Sequence, residues 1–345
     1  MKIAPPLSVV VAAHNVENEI YILLQSLCAS EFRDFEVCLC DDASTDRTVE
    51  VVKSFADRLR LRIVSNPSNR GVTHSRNEAL QLAAADRVLY LDADVRIYPD
   101  TITKLLARFE STGADVLEGI YSDIPIDSGV FSGYYALLVH HSFLGPVGPV
   151  AYNVFNGWCA LCRTDVMRGL NGHVIVEKGV EVENEMLGRA LVEGGFRLLL
   201  DPGVAVDHHW RGPRRLLFRF TSRVYWWVKI FFAYDRRFES ALTTRNYGLG
   251  TLCFPVAVAM TPLVALDPLY AVPALAFFSA FFLSWGPFFV FVFKRRGFYF
   301  LMISVLMSCG FSFPIAVSAV WSAVEEFWRK AFHGAYTLET LRGTH

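Results

Sequence analysis

The sequence has no excess of charge of either sign. Its 345 residues include 33 Lys and Arg against 34 Asp and Glu, which gives a formal net charge of −1. A nucleic-acid-binding surface needs basic residues in large excess on one face. Nucleic acid is therefore not an expected partner.

A second pair of closely spaced cysteines is also missing. The seven cysteines are scattered, and Cys159 and Cys162 form a single Cys-x-x-Cys. A structural zinc site needs four ligands at suitable spacing, so buried free thiols are expected instead. The first residues lack the long apolar core of a secretion signal. An odd number of cysteines without such a signal is typical of a protein of the reducing cytoplasm.

Charged residues are almost absent from residues 250–324, where the only ones are Asp267, Lys294, Arg295 and Arg296. A helix that spans a bilayer needs about 20 apolar residues. The segment therefore predicts about three transmembrane helices: a hairpin that turns near Asp267, then a third span over residues 298–324.

The residues before this apolar segment have a different composition. Residues 216–238 mix aromatic side chains with five cations, Lys229 among them. This mixture predicts a helix that lies in the membrane interface with its cations facing the headgroups. A soluble helix that covers the first domain is the other interpretation. Because basic loops stay inside, this segment and the basic loop at 294–296 are both expected on the cytoplasmic side. Three spans would then place the tail from residue 325 on the outer side.

The first part of the chain alternates apolar runs with amphipathic stretches. Strands are predicted at 7–13, 35–40, 61–65 and 87–91, and helices between them, one of which begins at Ser44 or Thr45 and ends near Leu59. Asn15 is a candidate cap of the first helix. This alternation indicates an α/β domain with a largely parallel sheet, in which ligands bind at the carboxyl ends of strands.

Two acidic clusters follow strands of this domain. Asp41 and Asp42 end the second strand, and Asp92 and Asp94 end the fourth. Carboxylates two residues apart can converge on one ligand and suit Mg²⁺ or Mn²⁺. A surface turn and a helix cap are the other interpretations. Together the clusters predict a nucleotide diphosphate, with base and ribose near the first and metal and diphosphate near the second.

The order of motifs resembles glycosyltransferase family 2. The runs that carry the resemblance are "SVVVAAHNVENEI", "CDDASTDRT", "NRGVTHSRNEAL", "LDADV", "FNGWCALCRTDVMRGLNGH", "ENEMLGRALVEGGF" and "DHHWRG", which together cover about residues 7–215. The resemblance implies a GT-A fold, which is Rossmann-like with a mostly parallel sheet. It also implies a nucleotide-sugar donor, a divalent cation (Mg²⁺ or Mn²⁺) and inversion at the anomeric carbon.

The resemblance and the composition together divide the chain into a GT-A domain (1–215), an amphipathic interfacial segment (216–245), a transmembrane region (250–324) and a C-terminal tail (325–345). Two sets of ligand-binding residues are also expected. The donor-binding set is Ala12, His14, Asn15, Asp41, Asp42, Gly71, Arg76, Asp92, Ala93, Arg211 and Arg214. The metal-binding set is Asp92, Asp94 and His208, of which Asp94 is the preferred direct ligand.

Several of these assignments leave alternatives open. His14 stands where the family has Tyr, and Ala12 stands where Pro is frequent, so the nucleotide base is not specified. Arg76 is either a structural clamp or a phosphate ligand, and His208 is either a ligand or a structural histidine. Arg211 and Arg214 suit a phosphate and a lipid headgroup equally well.

The catalytic base departs from the family pattern. The run "ENEMLGRALVEGGF" places Glu183 on the family's Glu and Asn184 on its Asp. Asparagine cannot act as a general base, so the candidates are the neighbouring acids Glu181, Glu183 and Glu185. Glu183 is preferred because a small shift at the helix start would bring it into position. An anionic phosphate acceptor would need no base.

These features predict a membrane-anchored inverting glycosyltransferase. The enzyme would move a sugar from a nucleotide-diphosphate donor to a lipid or lipid-linked acceptor at the cytoplasmic face of the plasma (inner) membrane, in which it would be multi-pass. A processive polysaccharide synthase is disfavoured because the family's QxxRW signature is missing. The hypothesis from another class is a catalytically inactive nucleotide-sugar-binding membrane scaffold or sensor, which Asn184 and Val16 favour.

Overall fold

The computed structural model describes residues 4–145, 147–172, 183–210, 212–233 and 245–332. The described residues divide into two compact units. The first unit contains the residues up to Ala136 and those from Phe143 to Trp210. The second contains Leu137–Ser142 and the residues that follow Trp210.

The first unit is built on one mixed sheet. Its described strands are β1 (Leu7–Ala13), β2 (Phe35–Asp41), β3 (Arg60–Ser65), β4 (Arg87–Asp92), β5 (Val95–Arg96), β6 (Val116–Pro125), β7 (Val150–Ala151), β8 (Cys159–Arg163) and β9 (Leu198–His208). The order is β3-β2-β1-β4-β8-β6-β9-β5, with β7 paired to β9. The strands β1 to β4 are parallel, whereas β8 runs antiparallel to both β4 and β6.

The four strands predicted from the sequence are confirmed to within one residue at each end. The side chains of β1 and β2 are buried on both faces of the sheet, with Ala12 the one half-buried exception. This burial is the reason why both strands appear in the sequence as continuous apolar runs rather than alternating ones.

Helices of the first unit cover the sheet. They are α1 (Glu17–Cys28), α2 (Thr48–Lys53), α3 (Val72–Leu82), α4 (Thr101–Thr112), α5 (Val130–Phe143), α6 (Thr164–Gly169) and α7 (Glu183–Glu193). Leu23, Leu24 and Leu27 of α1 are fully buried, as the helical spacing of apolar residues requires. Residues Leu137–Ser142 of α5 belong to the second unit.

Two local predictions are wrong. The helix predicted from Ser44 or Thr45 to Leu59 is confined to Thr48–Lys53, because the Asp46 side chain accepts hydrogen bonds from the Thr48 amide and hydroxyl and so delays its start. Its end is early because the chain continues in tighter turns after Lys53. Asn15 does not cap α1, whose N-cap is Val16 without a side-chain bond.

The second unit is helical in the part that the structure describes. Its elements are α8 (Pro213–Ala233), α9 (Arg245–Met260) and α10 (Ala271–Phe332), with two short 3₁₀ turns between α9 and α10. Asp267 caps the second of these turns by accepting a hydrogen bond from the Leu269 amide at 2.9 Å. Gly297 interrupts α10 with φ of 77° and ψ of −175°, directly after the basic residues 294–296.

The apolar helices are arranged as a hairpin followed by a third segment. Phe254 of α9 contacts both Phe281, which precedes the Gly297 break, and Phe313, which follows it. Phe281 and Phe313 each lie 16 positions from Gly297, on opposite sides of it in the sequence. Because both contact the same ring, α10 folds back on itself at Gly297. Two stretches, Tyr247–Ala265 and Pro268–Phe332, are long and apolar enough to cross a membrane by length and composition.

The helix α8 runs parallel to the end of α10. The hydroxyls of Ser318 and Ser322 donate to the carbonyls of Thr221 and Tyr225, each at 2.7 Å. One turn further, Lys229 lies 3.0 Å from Glu325. We call these three contacts the polar seam. Lys229 is 1% exposed, so its ammonium points inward. The prediction of an interfacial helix whose cations all face outward is therefore wrong at this residue.

Candidate active site

The two acidic clusters flank the carboxyl end of β1. In the sheet register, Ala12 is paired with Cys40 of β2 and with Asp92 of β4, and Ala13 is paired with Asp41. Asp41 and Asp92 therefore lie on the two strands that border β1, at the same edge. This arrangement brings together the two clusters that the sequence analysis assigned to one nucleotide.

The second acidic cluster lies close to a histidine at the end of β9. Oxygens of Asp92 and Asp94 and a ring nitrogen of His208 all lie within 4.8 Å of one another. The pairing of β5 with β9 produces this approach, because Val95 is opposite His208 and the His209 amide donates to the Asp94 carbonyl at 3.0 Å. We call these three side chains the cation cluster.

The cation cluster has the donor set of a divalent-cation site. Two carboxylates and an imidazole offer oxygen and nitrogen ligands from separate elements. His208 Nε2 is 3.3 Å from Asp94 Oδ1, and its Nδ1 is buried without a hydrogen-bond partner. The ring nitrogen that faces Asp94 is Nε2, so the fit of the cluster to a divalent cation rests on this atom and the two carboxylates, not on the unpartnered Nδ1.

Asp92 is held from two sides. Arg76 of α3 donates from Nη2 to Asp92 Oδ1 at 2.6 Å, and the Tyr121 hydroxyl donates to Oδ2 at 3.3 Å. Burial would lower the pKa of Arg76, but Asp92, and after it Glu183 and Tyr121, raise it. Arg76 is almost fully buried, so of its two predicted roles this contact corresponds to the structural clamp.

The first acidic cluster separates into two different environments. Asp42 accepts hydrogen bonds from Asn66 Nδ2 at 2.7 Å and from the amides of Arg70 and Gly71 at 2.9 and 2.8 Å. Burial opposes ionisation, but these bonds lower the pKa of Asp42 below its ordinary value. Asp42 thus orders the loop that ends at Gly71, where φ is +92°. The Asp41 carboxylate has only long contacts to the Ser44 amide, at 3.3 and 3.4 Å.

The turn after β1 is tied to the loop after β2. His14 Nδ1 is 2.7 Å from the Asp42 carbonyl, and Asn15 Oδ1 accepts from the Thr45 amide at 2.7 Å. Asn15 has φ of +51°, a backbone conformation that asparagine tolerates better than most residues. The side chains of His14 and Asn15 are exposed beside Asp41, where a base or ribose could contact them. Ala93, between the two acids of the cation cluster, is buried.

The candidate base residues lie at the start of α7. Glu183 is the first residue of the helix and is close enough to raise the pKa of Arg76. Asn184 accepts a bond from the Phe155 amide through its carbonyl, whereas its buried Oδ1 has no hydrogen-bond partner among the described residues. Glu185 is half-buried on the same turn.

Three predicted site residues either lie outside the described residues or belong to the second unit. Glu181 and Arg211 lie outside the described residues. Arg214 is exposed at the start of α8, in the second unit.

Sequence reasoning missed a group of residues behind the cation cluster. Glu118 of β6 is 0% exposed, and burial raises its pKa to about 8. It accepts bonds from the amide and the side-chain nitrogen of Asn156. The only signal in the sequence was a single acid inside the apolar run "VLEGI", which does not indicate a partner.

The first unit is an α/β domain with the cation cluster at the carboxyl edge of its parallel strands. Residues 8–168 match the family model described as Glycosyl transferase family 2. This part of the chain is therefore a glycosyltransferase family 2 domain, as the sequence motifs predict.

Similar proteins agree with this assignment. A putative glycosyltransferase, EpsE of Bacillus subtilis, is 30% identical over 112 residues, which are 32% of this chain and 40% of that protein. WfaP of Escherichia coli, a UDP-Glc:alpha-D-GlcNAc-diphosphoundecaprenol beta-1,3-glucosyltransferase, is 31% identical over 87 residues, 25% of this chain and 34% of that protein. The chain thus spans less than half of the length of either relative.

A solved structure has the same fold. The mannosyltransferase PcManGT of Pyrobaculum calidifontis, in complex with GDP-Man and Mn²⁺, superimposes with a TM-score of 0.55 at 19% identity. The match covers 95% of this chain and 89% of that one. The predicted GT-A fold, followed by apolar helices, is confirmed.

Proposed function

We propose that this protein is a metal-dependent inverting glycosyltransferase. It transfers a sugar from a nucleotide-diphosphate donor to a lipid or lipid-linked acceptor at the cytoplasmic face of the membrane. The observation that carries the proposal is the approach of Asp92, Asp94 and His208 to within 4.8 Å at the sheet edge of a glycosyltransferase family 2 domain.

The cation cluster would hold the metal. Asp94 and His208 provide the direct ligands, and Asp92, fixed by Arg76 and Tyr121, faces the same point. When bound, the divalent cation neutralises charge on the donor diphosphate and so makes it a better leaving group. Mn²⁺ in the complex of the structural neighbour supports a divalent cation here, without separating Mn²⁺ from Mg²⁺.

The donor base and ribose would lie on the other side of β1. Asp41 is the acid assigned to them, because the carboxylate of Asp42 is already used by three donors from the loop 66–71. His14 and Asn15 border the same position. The names of the relatives support both a uridine and a guanosine donor, so the base remains open between them.

Glu183 is the proposed general base. It would take the proton of the acceptor hydroxyl while that oxygen forms a bond to the anomeric carbon and the bond from this carbon to the diphosphate breaks. Its electrostatic contact with Arg76, which in turn holds Asp92, supports a location beside the cation cluster. A phosphate acceptor is the alternative, because it would already be anionic and would need no base.

The second unit supports the membrane part of the proposal. Many large apolar side chains of α10 point outward, among them Leu283 at 79% and Leu306 at 69% exposure. Lipid is the surrounding that such a surface fits. The relative WfaP, named for a diphosphoundecaprenol-linked substrate, supports a lipid-linked acceptor.

Activity is tested with the full chain purified in detergent. It is incubated with Mn²⁺, a panel of uridine- and guanosine-diphosphate sugars and a membrane lipid extract, and both nucleoside diphosphate release and sugar transfer to lipid are measured. We expect transfer from one donor class and its loss in EDTA. Full transfer after exhaustive chelation would overturn the metal requirement. Donor binding without any turnover would establish the inactive scaffold instead.

Topology is tested by cysteine labelling in sealed vesicles, in a variant without reactive native thiols. One cysteine replaces Asp267 in the turn between α9 and α10, and another replaces Arg295 beside the Gly297 break. We expect the Arg295 position to be labelled from the same side as the first unit and the Asp267 position from the opposite side. Labelling of both positions from one side would contradict a membrane-spanning hairpin.

A further inference from the structure

A segment without regular structure, residues 155–158, lies directly behind the cation cluster. It connects β7 to β8 and contacts Asp92 in two ways. The Trp158 carbonyl accepts from the Asp92 amide at 3.4 Å. The Trp158 ring also stacks on Tyr121 at 4.3 Å between centroids, and Tyr121 donates to Asp92.

The same segment also sets the position of Arg76. Gly157 has φ of +75°, and a Cβ built on it would lie 3.0 Å from Arg76 Nη1 and 3.1 Å from Cζ. The guanidinium therefore packs against the bare backbone of Gly157, which leaves its other nitrogen free to donate to Asp92 at 2.6 Å. Any movement of Gly157 toward or away from Arg76 would displace the side chain that holds Asp92.

Two neighbouring residues of β6 fix this segment. Glu118 accepts from the Asn156 amide at 2.9 Å and from Asn156 Nδ2 at 2.7 Å. The next residue, Gly119, accepts from Trp158 Nε1 at 2.9 Å through its carbonyl. Gly157 is thus held between two anchors. The Glu118 side chain is fully buried in the sheet interior, so no water competes for these bonds.

We propose that Glu118 is a positioning residue for the cation cluster: through Asn156 it fixes residues 155–158, and through Gly157, Arg76 and Tyr121 it orients the Asp92 carboxylate toward the metal. Partners that orient a metal ligand from outside the ligand set commonly change metal affinity by about 10- to 100-fold when removed. This inference rests on the proposed metal-dependent function.

The test is Mn²⁺ binding by the full-length protein in detergent, measured without donor from the decrease of the electron paramagnetic resonance signal of free Mn²⁺. Glu118→Met has a similar volume but no acceptor for Asn156, and we expect it to bind Mn²⁺ about 10-fold more weakly or worse. Glu118→Gln keeps one acceptor oxygen, and we expect it to restore most of the affinity at pH 7.

Glu36 provides a matched control. It is another buried acid of the same sheet, which accepts from Ser8 and from the Ala84 amide and lies 3.2 Å from Arg62. We expect Glu36→Met to lower thermal stability to a similar degree and to leave Mn²⁺ affinity unchanged. Equal loss of Mn²⁺ affinity in both variants would show a general loss of structure and would overturn the positioning role.

A second pair of variants covers the case in which Glu118→Met does not fold. Gly157→Ala introduces a methyl against Arg76, whereas Gly113→Ala introduces one into open space at a similar φ of +62°. We expect only Gly157→Ala to weaken Mn²⁺ binding by about 10-fold. If the wild type binds Mn²⁺ and all these variants bind it equally well, the inference is wrong. If the wild type binds none, the metal part of the proposed function is wrong as well.

Discussion

The two units of the molecule distribute polar and apolar side chains in opposite ways. In the first unit, Leu23 and Leu24 are fully buried and the charged side chains that are buried, such as Glu118 and Arg76, are hydrogen-bonded. In the second unit, Ser308 and Ser312 are buried while Leu283 and Leu306 are exposed. Small hydroxyl residues between helices and large apolar residues outside are typical of helices packed in lipid.

The comparison separates two uses of buried polar groups. In the first unit, buried acids converge on one edge of the sheet, where the cation cluster leaves a ring nitrogen without a partner. In the second unit, the polar seam satisfies its groups between α8 and α10. The edge groups thus converge on the proposed metal position, whereas the seam groups bind other groups of the second unit. We infer that removing a polar group from the edge costs activity, and that removing one from the seam costs stability.

The largest effect is expected at the cation cluster. Asp94→Ala removes one carboxylate ligand of the proposed metal, so we expect turnover to fall below detection while thermal stability changes little. Sugar transfer and thermal unfolding are measured on the same preparation. Asp34→Ala, at an exposed acid paired with Arg60, is the control and should retain activity. A large loss of stability in Asp94→Ala would contradict the inference that polar groups at the sheet edge contribute to activity rather than to stability.

The next effect is expected at the start of α7. Glu183→Gln removes the proposed base, and general-base catalysis contributes about 10²- to 10⁴-fold to a rate. We expect the chemical step to slow by that order in single-turnover experiments, with donor affinity nearly unchanged because this acid faces the acceptor. Glu193→Gln, at the other end of α7 in an exposed pair with Arg189, is the matched control. Near-wild-type turnover in Glu181→Gln, Glu183→Gln and Glu185→Gln, each measured singly, would favour a phosphate acceptor that needs no base.

The third effect concerns the polar seam. Lys229→Met removes the buried cation beside Glu325. The Glu325 side chain is 39% exposed, so water screens its remaining charge, and the cost lies well below the roughly 3 kcal/mol of a fully buried pair. We expect a measurable fall of the unfolding temperature in detergent, and partial recovery in the double variant Lys229→Met, Glu325→Leu. In the first unit, Arg60→Met breaks an exposed pair and should change stability far less. Equal effects of the two single variants would contradict a buried seam.

The smallest effect is a pH dependence of the first unit. Glu118 has a pKa of about 8 in the fold against an ordinary value of 4.5, so folding favours its protonated form. The stability linked to this proton is fully present below about pH 4.5 and is lost as the pH rises through 8. We expect wild type to lose stability relative to Glu118→Gln as the pH rises from 5 to 8. Parallel pH profiles of the two proteins would contradict it.

The parallel half of the sheet was predictable because its strands are buried on both faces. Each of β1, β2 and β4 is a continuous apolar run with an acid or alanine at its carboxyl end, so strand identity and the location of the acids follow from local sequence. The position of β8 between β4 and β6 could not be derived in the same way. Its pairings join residues far apart in the chain, and nothing in "CALCR" specifies them.

The candidate site shows the same limit. Asp92 and Asp94 could be recognised from their spacing, and His208 from its motif. The different environments of Asp41 and Asp42 could not be predicted. They depend on three donors in the loop 66–71 that bind only the Asp42 carboxylate. Lys229 was predicted to face headgroups for a related reason: its partner, Glu325, is 96 positions away.

The polar seam also determines when α8 can be completed during synthesis. Ser318 and Ser322 follow the carbonyls to which they donate by 97 residues. At a translation rate of about 5–20 residues per second, α8 leaves the ribosome roughly 5–20 s before its partners. During that interval Lys229 has no Glu325 beside it, whereas the last strand of the first unit, β9, has already been made. Nascent chains stalled before residue 318 should therefore contain a folded first unit and an α8 that proteases can cleave.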